Sequence, residues 1–404
     1  MCVAIISAPR LLVEGRLTGP GALVIDDGVI VDVLDHRPAL GDGHLALEAG
    51  ILSPGLIDVQ INGCFGVDFV QATDDEWETV SRSLPHFGVT AFQPTYITNP
   101  IGALVAGLRR YAAVAARLRA AGGARVLGVH VEGPFISPER RGVHDVSFMV
   151  EPNAANLDAL LADSVAAAQI TMVTLAPELP GAIDAIRRLT AAGIVVSVGH
   201  SDALGSQVHD AVLAGARMVT HIFNAQRGFS HREPGVSGQA LYEPTMTIGL
   251  IADFQHVSPE ACAITMNAAP GRVALVTDAV APAGMPPGIY ELGGQRISVA
   301  PGEPLARNLD GTIAGAAIFL DQAVRNLVGI GRDVAEVLSA ASTVPADVLS
   351  RHDLGRLAPG TQADVVWWSD DLHPLRTWVG GTEVFRAEEL AGRVGSGAPV
   401  TRSP

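Results

Sequence analysis

The chain has 404 residues, and its 27 basic residues, all arginine, stand against 42 Asp plus Glu for a formal charge of −15. The absence of lysine excludes Schiff-base catalysis on a lysine amine, a P-loop whose lysine reaches a nucleoside phosphate, and a metal pair bridged by a carboxylated lysine. The acidic balance argues against a nucleic-acid partner, which needs clustered positive charge. With 48% hydrophobic and 17% charged residues the chain can bury a large core. No apolar run reaches the roughly 18 to 20 residues of a membrane helix, so no membrane partner is expected. Met1 to Pro9 lacks a basic leader, and Cys2, Cys64 and Cys262 show no metal-ligand spacing. A reduced, cytoplasmic setting is the expectation.

Residues 1–53 carry strand-like runs, Ala22 to Asp26 and Val29 to Leu34, broken by the hairpin signal Asp27-Gly28. From Pro54 to about Leu357, short β-branched runs alternate with alanine-rich stretches of helical length, as in a parallel sheet with crossover helices. The runs are Leu56 to Asn62, Thr90 to Tyr96, Val126 to Glu132, Ile170 to Ala176, Ile194 to His200, Arg217 to His221, Met246 to Asp253 and Val273 to Asp278. Helices are expected between them, for example over Asp75 to Phe87, Ile101 to Ala121, Ile183 to Ala192 and Ala203 to Ala214. Eight strand–helix units make a (β/α)8 barrel over residues 54–357. Residues 354–386 again read as short β with turns. Because neither end can form a core alone, residues 1–53 and 358–391 are expected to pair into one small β-sandwich domain beside the barrel. The Gly-, Ser- and Pro-rich residues 392–404 read as a loose tail.

A buried barrel strand should be apolar, yet several of these runs end in polar residues. The first ends Gln60-Ile61-Asn62, the third His130-Val131-Glu132, the fifth Gly199-His200, the sixth Thr220-His221 and the eighth Thr277-Asp278. Residues i and i+2 of a strand share a face, so these side chains converge at the C-terminal mouth, where barrel enzymes place catalysis. A lone histidine at a strand end is more often structural, but a carboxylate and two imidazoles from three strands form a ligand set. Glu132, His200 and His221 suit one divalent transition metal with positions open for water, and zinc, iron, cobalt or manganese would each serve. Such a metal makes a hydroxide nucleophile from bound water. Asp278 is then placed to take the water proton and return it to a leaving group. His36, His44, His86, His209, His352 and His373 read as surface or structural residues.

The segments Ser53 to Gly63, His130 to Phe135, Gly199-His200-Ser201, Thr220 to Ala225, His231 to Gly235 and Val276 to Ala279 together resemble the N-acetylglucosamine-6-phosphate deacetylases of the amidohydrolase superfamily. The likeness runs in order from about residue 50 to 365. It implies a barrel plus a small β domain, and hydrolysis of the acetamide to glucosamine 6-phosphate and acetate. Gln60 and Asn62 stand where many amidohydrolases carry the His-x-His of a second metal. By resemblance the chain therefore belongs to the single-metal branch, with these two as vestigial second-metal positions. The likeness also implies that His144 polarises the carbonyl, that Asn224 and Ala225 present an amide and a backbone donor, that His256 touches the sugar, and that Arg232 reaches a phosphate, with a homodimer interface as the boundary it would cross. Arg227 is a second phosphate candidate, and a surface ion pair with Glu233 is the alternative use of Arg232.

Two positions depart from the family pattern. Gln226 stands where methionine is usual and Ala316 where serine is usual. Both adjoin the expected site, so an epimer such as N-acetylgalactosamine 6-phosphate stays open as substrate. Other readings are an amidohydrolase acting on a cyclic amide or aminopurine, which would not need the phosphate set, and a non-catalytic sugar-phosphate sensor, against which the retention of Asp278 argues.

Overall fold

The computed structural model describes residues 4–41 and 43–387; the stretch 392–404, expected to be a loose tail, lies outside the described residues. Eight parallel strands follow one another around a barrel: β1 (Leu56–Ile61), β2 (Val89–Ile97), β3 (Val129–Glu132), β4 (Ile170–Leu175), β5 (Val195–Val198), β6 (Met218–Val219), β7 (Thr247–Ile251) and β8 (Val273–Val276). Each pairs in parallel with the next. The circle closes at its upper rim, where Asp278 N–H donates to Gln60 O at 2.8 Å and Asn62 N–H to Ala279 O at 2.7 Å.

Alternation along the strands sorts the side chains. Val129, Val131, Val173, Leu175, Val196 and Val198 pack outward under the helices. Ile57, Val59, Met172, Val195, Ala274 and Val276 fill the lower interior, which Ala346 and Val348 of the helix Thr343–Val348 plug from below. A polar layer lies above that apolar plug. His130 Nε2 meets Thr174 Oγ1 at 2.7 Å, and Thr220 Oγ1 meets Thr174 Oγ1 at 2.7 Å and Ser197 Oγ at 2.6 Å. The barrel mouth is therefore built on a floor in which His130, Thr174, Ser197 and Thr220 satisfy one another, so it holds its shape.

The expected helices form where the sequence signals them. Asp74–Ser83 starts at a capping box, Thr73 with Glu76, and buries Trp77 and Val80 against the barrel. Ile101–Ala121, Ala182–Ala191 and Gly205–Ala214 follow in turn.

The two chain ends form two sheets. One has the order Val29–Leu34, Gly21–Asp26, Ala4–Ala8, His44–Ala46; the Asp27-Gly28 turn joins its first two strands, with both residues at positive φ. The other runs Thr382–Arg386, Pro374–Val379, Val365–Trp368, Ile51–Pro54, Leu11–Val13, Arg16–Thr18, so that a C-terminal strand lies directly against an N-terminal one. Leu23, Ile25 and Ile30 from the first sheet share an apolar core with Leu52, Val365 and Trp378 from the second, which makes a sandwich. Trp368, fully buried, joins this unit to the barrel: its indole N–H is anchored on Ser53 Oγ of the adjoining sheet strand at 2.8 Å, and its ring lies against Gly88 at the foot of β2.

One element has no counterpart in the sequence reading. After β8 the strands Gly288–Leu292, Gln295–Val299, Leu305–Asn308 and Ile313–Ala316 form a four-stranded antiparallel sheet at the barrel mouth. Gly293 N–H donates to Asp68 Oδ2 at 2.7 Å and Gln295 Nε2 to Val143 O at 2.9 Å, which ties the sheet to the loops after β1 and β3. No helix among the described residues is long and apolar enough to cross a membrane.

Candidate active site

Glu132 is the last residue of β3, while His200, His221 and Asp278 each follow the end of their strand by two residues. The last three adopt left-handed backbone, with φ of 47°, 26° and 51°. Each such residue costs on the order of 1–3 kcal/mol, a strain that persists only where surrounding contacts impose it. The chain turns out of three strands at once, and at each turn it carries one of these polar side chains.

Three donor atoms meet at the centre. Glu132 Oε1 lies 3.0 Å from His221 Nε2 and 3.2 Å from His200 Nε2, and the two imidazole nitrogens are 3.1 Å apart. Ligands about 2.1 Å from one ion stand about 3.0–3.4 Å from each other, so the spacing fits a shared cation. His200 Nδ1 donates to Arg140 O at 3.0 Å, which leaves its Nε2 lone pair facing Glu132. Burial alone would raise the Glu132 carboxyl, but the bonds from His200 and His221 hold it well below the usual range. Burial alone would likewise lower His221, yet Glu132 raises it to about 9. A cluster that so favours positive charge at its centre is suited to a metal, which would displace that proton.

His144 also brings a ring nitrogen within 4.8 Å of the Glu132 and His200 donor atoms. Its hydrogen bonds give it a different part. Thr98 N–H donates to His144 Nδ1 at 3.4 Å, and Thr98 Oγ1 lies 2.7 Å from the same atom. The ring therefore carries its proton on Nε2. Burial, with the nearby His200 adding to it, lowers its pKa to about 3, so it stays a neutral donor. A neutral N–H beside a metal site suits the oxygen of a carbonyl that is gaining charge.

Asp278 is held by strand-one amides: Asn62 Nδ2 donates to its Oδ1 at 2.7 Å and Gln60 Nε2 at 3.2 Å. Gln60 Nε2 also donates to Glu132 Oε1 at 3.1 Å. Burial, reinforced by the charge of Glu132, pushes Asp278 up to about 6, against the opposing pull of His221, His256 and Asn62. A carboxylate poised near neutrality can both take and return a proton.

A cavity of about 400 Å³ opens over this cluster and is lined by Asn62, His144, Asn224, Ala225 and His256 among others. His256 Nδ1 donates to Asp253 Oδ2 at 2.6 Å, which fixes the ring. Asn224 spends its side-chain N–H groups on His221 O and Ile222 O, at 3.3 and 3.2 Å. Ala225 sits at φ 48°, and its N–H meets no protein acceptor among the described residues.

The two arginines singled out in the sequence lie outside the cavity of their own chain. Arg232 is exposed and Arg227 is drawn to the Asp202 carboxylate; neither lines the cavity. The alternative ion pair of Arg232 does not form, since Glu233 Oε1 accepts Gly205 N–H at 2.7 Å and Gly235 N–H at 3.1 Å. The arginine that does line it is Arg140, bonded to Asp202 Oδ1 at 2.7 Å. Sequence reasoning missed it, although Arg140-Arg141 between Glu132 and His144 was a signal at hand. Gln226 and Ala316 also prove to be away from the cavity wall. Gln226 Nε2 donates to Thr220 O at 2.7 Å and its Oε1 accepts Phe223 N–H, closing the loop after β6. Ala316 belongs to the apolar barrel interior and touches the site only through its N–H, which donates to Asp278 O at 3.2 Å.

A parallel barrel with this carboxylate–imidazole cluster at its mouth defines a metal-dependent hydrolase of the amidohydrolase type, and a sequence model of the amidohydrolase family matches residues 51–384. The chain is 39% identical to the N-acetylglucosamine-6-phosphate deacetylase of Homo sapiens over 386 residues, 93% of this chain and 90% of that one. It is 36% identical to an N-acetylgalactosamine-6-phosphate deacetylase of Escherichia coli O157:H7, over 93% of this chain and 98% of that one. Among solved structures it superposes on an aspartate-to-alanine mutant of N-acetyl-D-glucosamine-6-phosphate deacetylase from Mycobacterium smegmatis, in complex with N-acetyl-D-glucosamine-6-phosphate. That match has a TM-score of 0.88 at 30% identity and covers 95% of this chain and 100% of that one. The chain belongs to the amidohydrolase family, within its group of N-acetylglucosamine-6-phosphate deacetylases.

Proposed function

We propose that this enzyme hydrolyses the acetamide of N-acetylglucosamine 6-phosphate to glucosamine 6-phosphate and acetate, in the cytoplasm. The observation that carries the reading is the convergence of Glu132 Oε1, His200 Nε2 and His221 Nε2 within 3.2 Å of one another, with Asp278 alongside. These three would hold one divalent metal, zinc first among zinc, iron, cobalt and manganese. When bound it supplies Lewis acidity and makes water acidic near neutral pH. Gln60 and Asn62 donate N–H to carboxylates, which supports a role for them in holding Asp278 rather than a second ion.

An acetamide resists attack because its nitrogen lone pair is delocalised. His144 Nε2–H donates to the carbonyl oxygen as it gains charge. Asp278 takes a proton from the attacking water as the new C–O bond forms, then returns it to the nitrogen as the C–N bond breaks. Ala225 N–H, the Asn224 side-chain oxygen, His256 and Arg140 are the groups available for the sugar hydroxyls and phosphate, with arginine favoured for its paired donors.

Arg232 enters this reading only from a second copy. Phe229, Tyr242 and Leu213 are 66%, 80% and 73% exposed, and Phe229 lies against Gly238, one turn before Tyr242 in the helix Gly235–Tyr242. An exposed aromatic three residues before Arg232 supports a homodimer in which that arginine crosses to the partner's cavity. The sharing of one apolar core by both end sheets supports residues 1–53 and 358–391, of which 1–3, 42 and 388–391 lie outside the described residues, as a unit beside the barrel of 54–357.

The 36%-identical galactosamine relative keeps N-acetylgalactosamine 6-phosphate as a second substrate reading. Acetate release across a panel of N-acetylated hexosamine 6-phosphates tests both. Fastest turnover on the gluco epimer is expected, preference for the galacto epimer would favour the second reading, and no acetate from either would remove both.

A further inference from the structure

We propose that Asp58 is a positioning residue for Asp278: it locks the seam between β1 and β8 and so fixes the backbone that presents the Asp278 carboxylate. The inference rests on the reading of Asp278 as the proton-transfer group.

Seven of the eight junctions of the barrel are backbone ladders. The eighth, between β8 and β1, has only a single bridge, Ile61 to Ala279, past the end of β8. A side chain takes the place of the missing ladder. Asp58 Oδ1 accepts Thr277 N–H at 3.3 Å and Gln60 N–H at 3.2 Å, while Oδ2 accepts the Thr277 hydroxyl at 2.5 Å. Thr277 Oγ1 in turn accepts Ala279 N–H at 3.1 Å. Gln60, whose N–H Asp58 holds, returns its carbonyl to Asp278 N–H at 2.8 Å. Both sequence neighbours of Asp278 and its own N–H are thus tied to one carboxylate or to the residue that carboxylate holds.

Two features mark the arrangement as more than packing. Asp58 is 1% exposed and its carboxyl is held by N–H and O–H donors rather than by a cation, so its placement costs solvation that an apolar residue would not. Asp278 also stands at φ 51°, left-handed backbone that breaks the strand, so the direction of its side chain depends on how its neighbours are held. Asp58 does not line the cavity, so it acts on the reaction only through this seam.

The test compares Asp58→Asn, Thr277→Val and Thr277→Ser, with kcat, KM for N-acetylglucosamine 6-phosphate, metal per chain and melting temperature measured on metal-loaded enzyme. Thr277→Val keeps volume and removes the hydroxyl with every bond it makes. It should lower kcat by roughly tenfold or more while KM and metal content stay near wild type. Thr277→Ser, which keeps the hydroxyl, should recover most of that kcat, and Asp58→Asn should match Thr277→Val. If Asp58→Asn does not fold, the two threonine variants decide. Wild-type kcat in Thr277→Val, a loss that tracks missing metal, or an equal loss in Thr277→Ser would overturn the proposal. Asp278→Asn runs as a control: if it keeps normal turnover, the reading of Asp278 itself fails, whereas an inactive Asp278→Asn beside a fully active Thr277→Val overturns the seam alone.

Discussion

Asn62 Nδ2 donates to Asp278 Oδ1 at 2.7 Å, so a strand-one amide sits on the carboxylate assigned to proton transfer. The bond favours the ionised carboxylate, because an N–H donor stabilises the anion and not the acid. Replacing Asn62 with Leu removes it from a buried site, where a hydrogen bond to a charged group is worth about 1.5–3 kcal/mol. The Asp278 pKa should therefore rise, and the acidic limb of the kcat/KM profile should move to higher pH by about one unit or more. A profile unchanged from wild type would show that the bond does not bear on catalysis.

The wild-type limb follows from the same residue. Burial and Glu132 push Asp278 up to about 6, and a bound cation would pull it back down, because positive charge favours the carboxylate. The base must be ionised, so activity is lost as pH falls through that value. The acidic limb is expected at or below about 6. Asp278→Asn should keep fold and metal and abolish the limb along with most turnover, a loss of roughly 100-fold to 10,000-fold. Near-normal turnover in that variant would remove Asp278 from its role.

Much of this was legible because function and strand pattern coincide. Val129-His130-Val131-Glu132 alternates as a barrel strand must, and the polar residues that interrupt apolar runs mark both the strand end and the site. The same logic over-reached at His130, which faces inward but one layer lower, bonded to Thr174 instead of the cavity. The sheet over residues 288–316 was not foreseen because its strands are half-exposed and short of the apolar runs that mark the barrel strands. Glu291-Leu292-Gly293-Gly294-Gln295 was a hairpin signal all the same. Nor could spacing show which arginine reaches the cavity. Arg227 and Asp202 are 25 residues apart, and only the folded loops bring them together and leave Arg140 at the wall.

Metal removal separates the ligand cluster from a purely hydrogen-bonded one. Dialysis against a chelator should abolish turnover, and about one equivalent of zinc, cobalt or manganese per chain should restore it. His200→Ala and His221→Ala should each lower metal content, since each deletes one of three protein donors. His144→Ala should leave metal content near wild type while reducing kcat, because its Nδ1 is engaged by Thr98 and its Nε2 carries a proton. Two tightly held ions per chain at full activity would contradict the single-metal reading.

The phosphate contacts can be separated by comparing phosphorylated and unphosphorylated substrate. Arg140 lines the cavity of its own chain and is steadied by Asp202, whereas Arg232 is exposed and outside it. Arg140→Ala should raise KM for N-acetylglucosamine 6-phosphate by roughly tenfold or more and leave N-acetylglucosamine almost unaffected, the expected loss of one charge-assisted contact. Arg232→Ala should do the same only if a second copy delivers it. Its effect should therefore vanish in a variant that is monomeric by sedimentation, such as one with charges placed at Phe229 and Tyr242, and that variant should itself show the raised KM. An Arg232→Ala effect that persists in the monomer, or that is equal for both substrates, would assign this arginine to its own chain's structure and leave Arg140 as the phosphate contact.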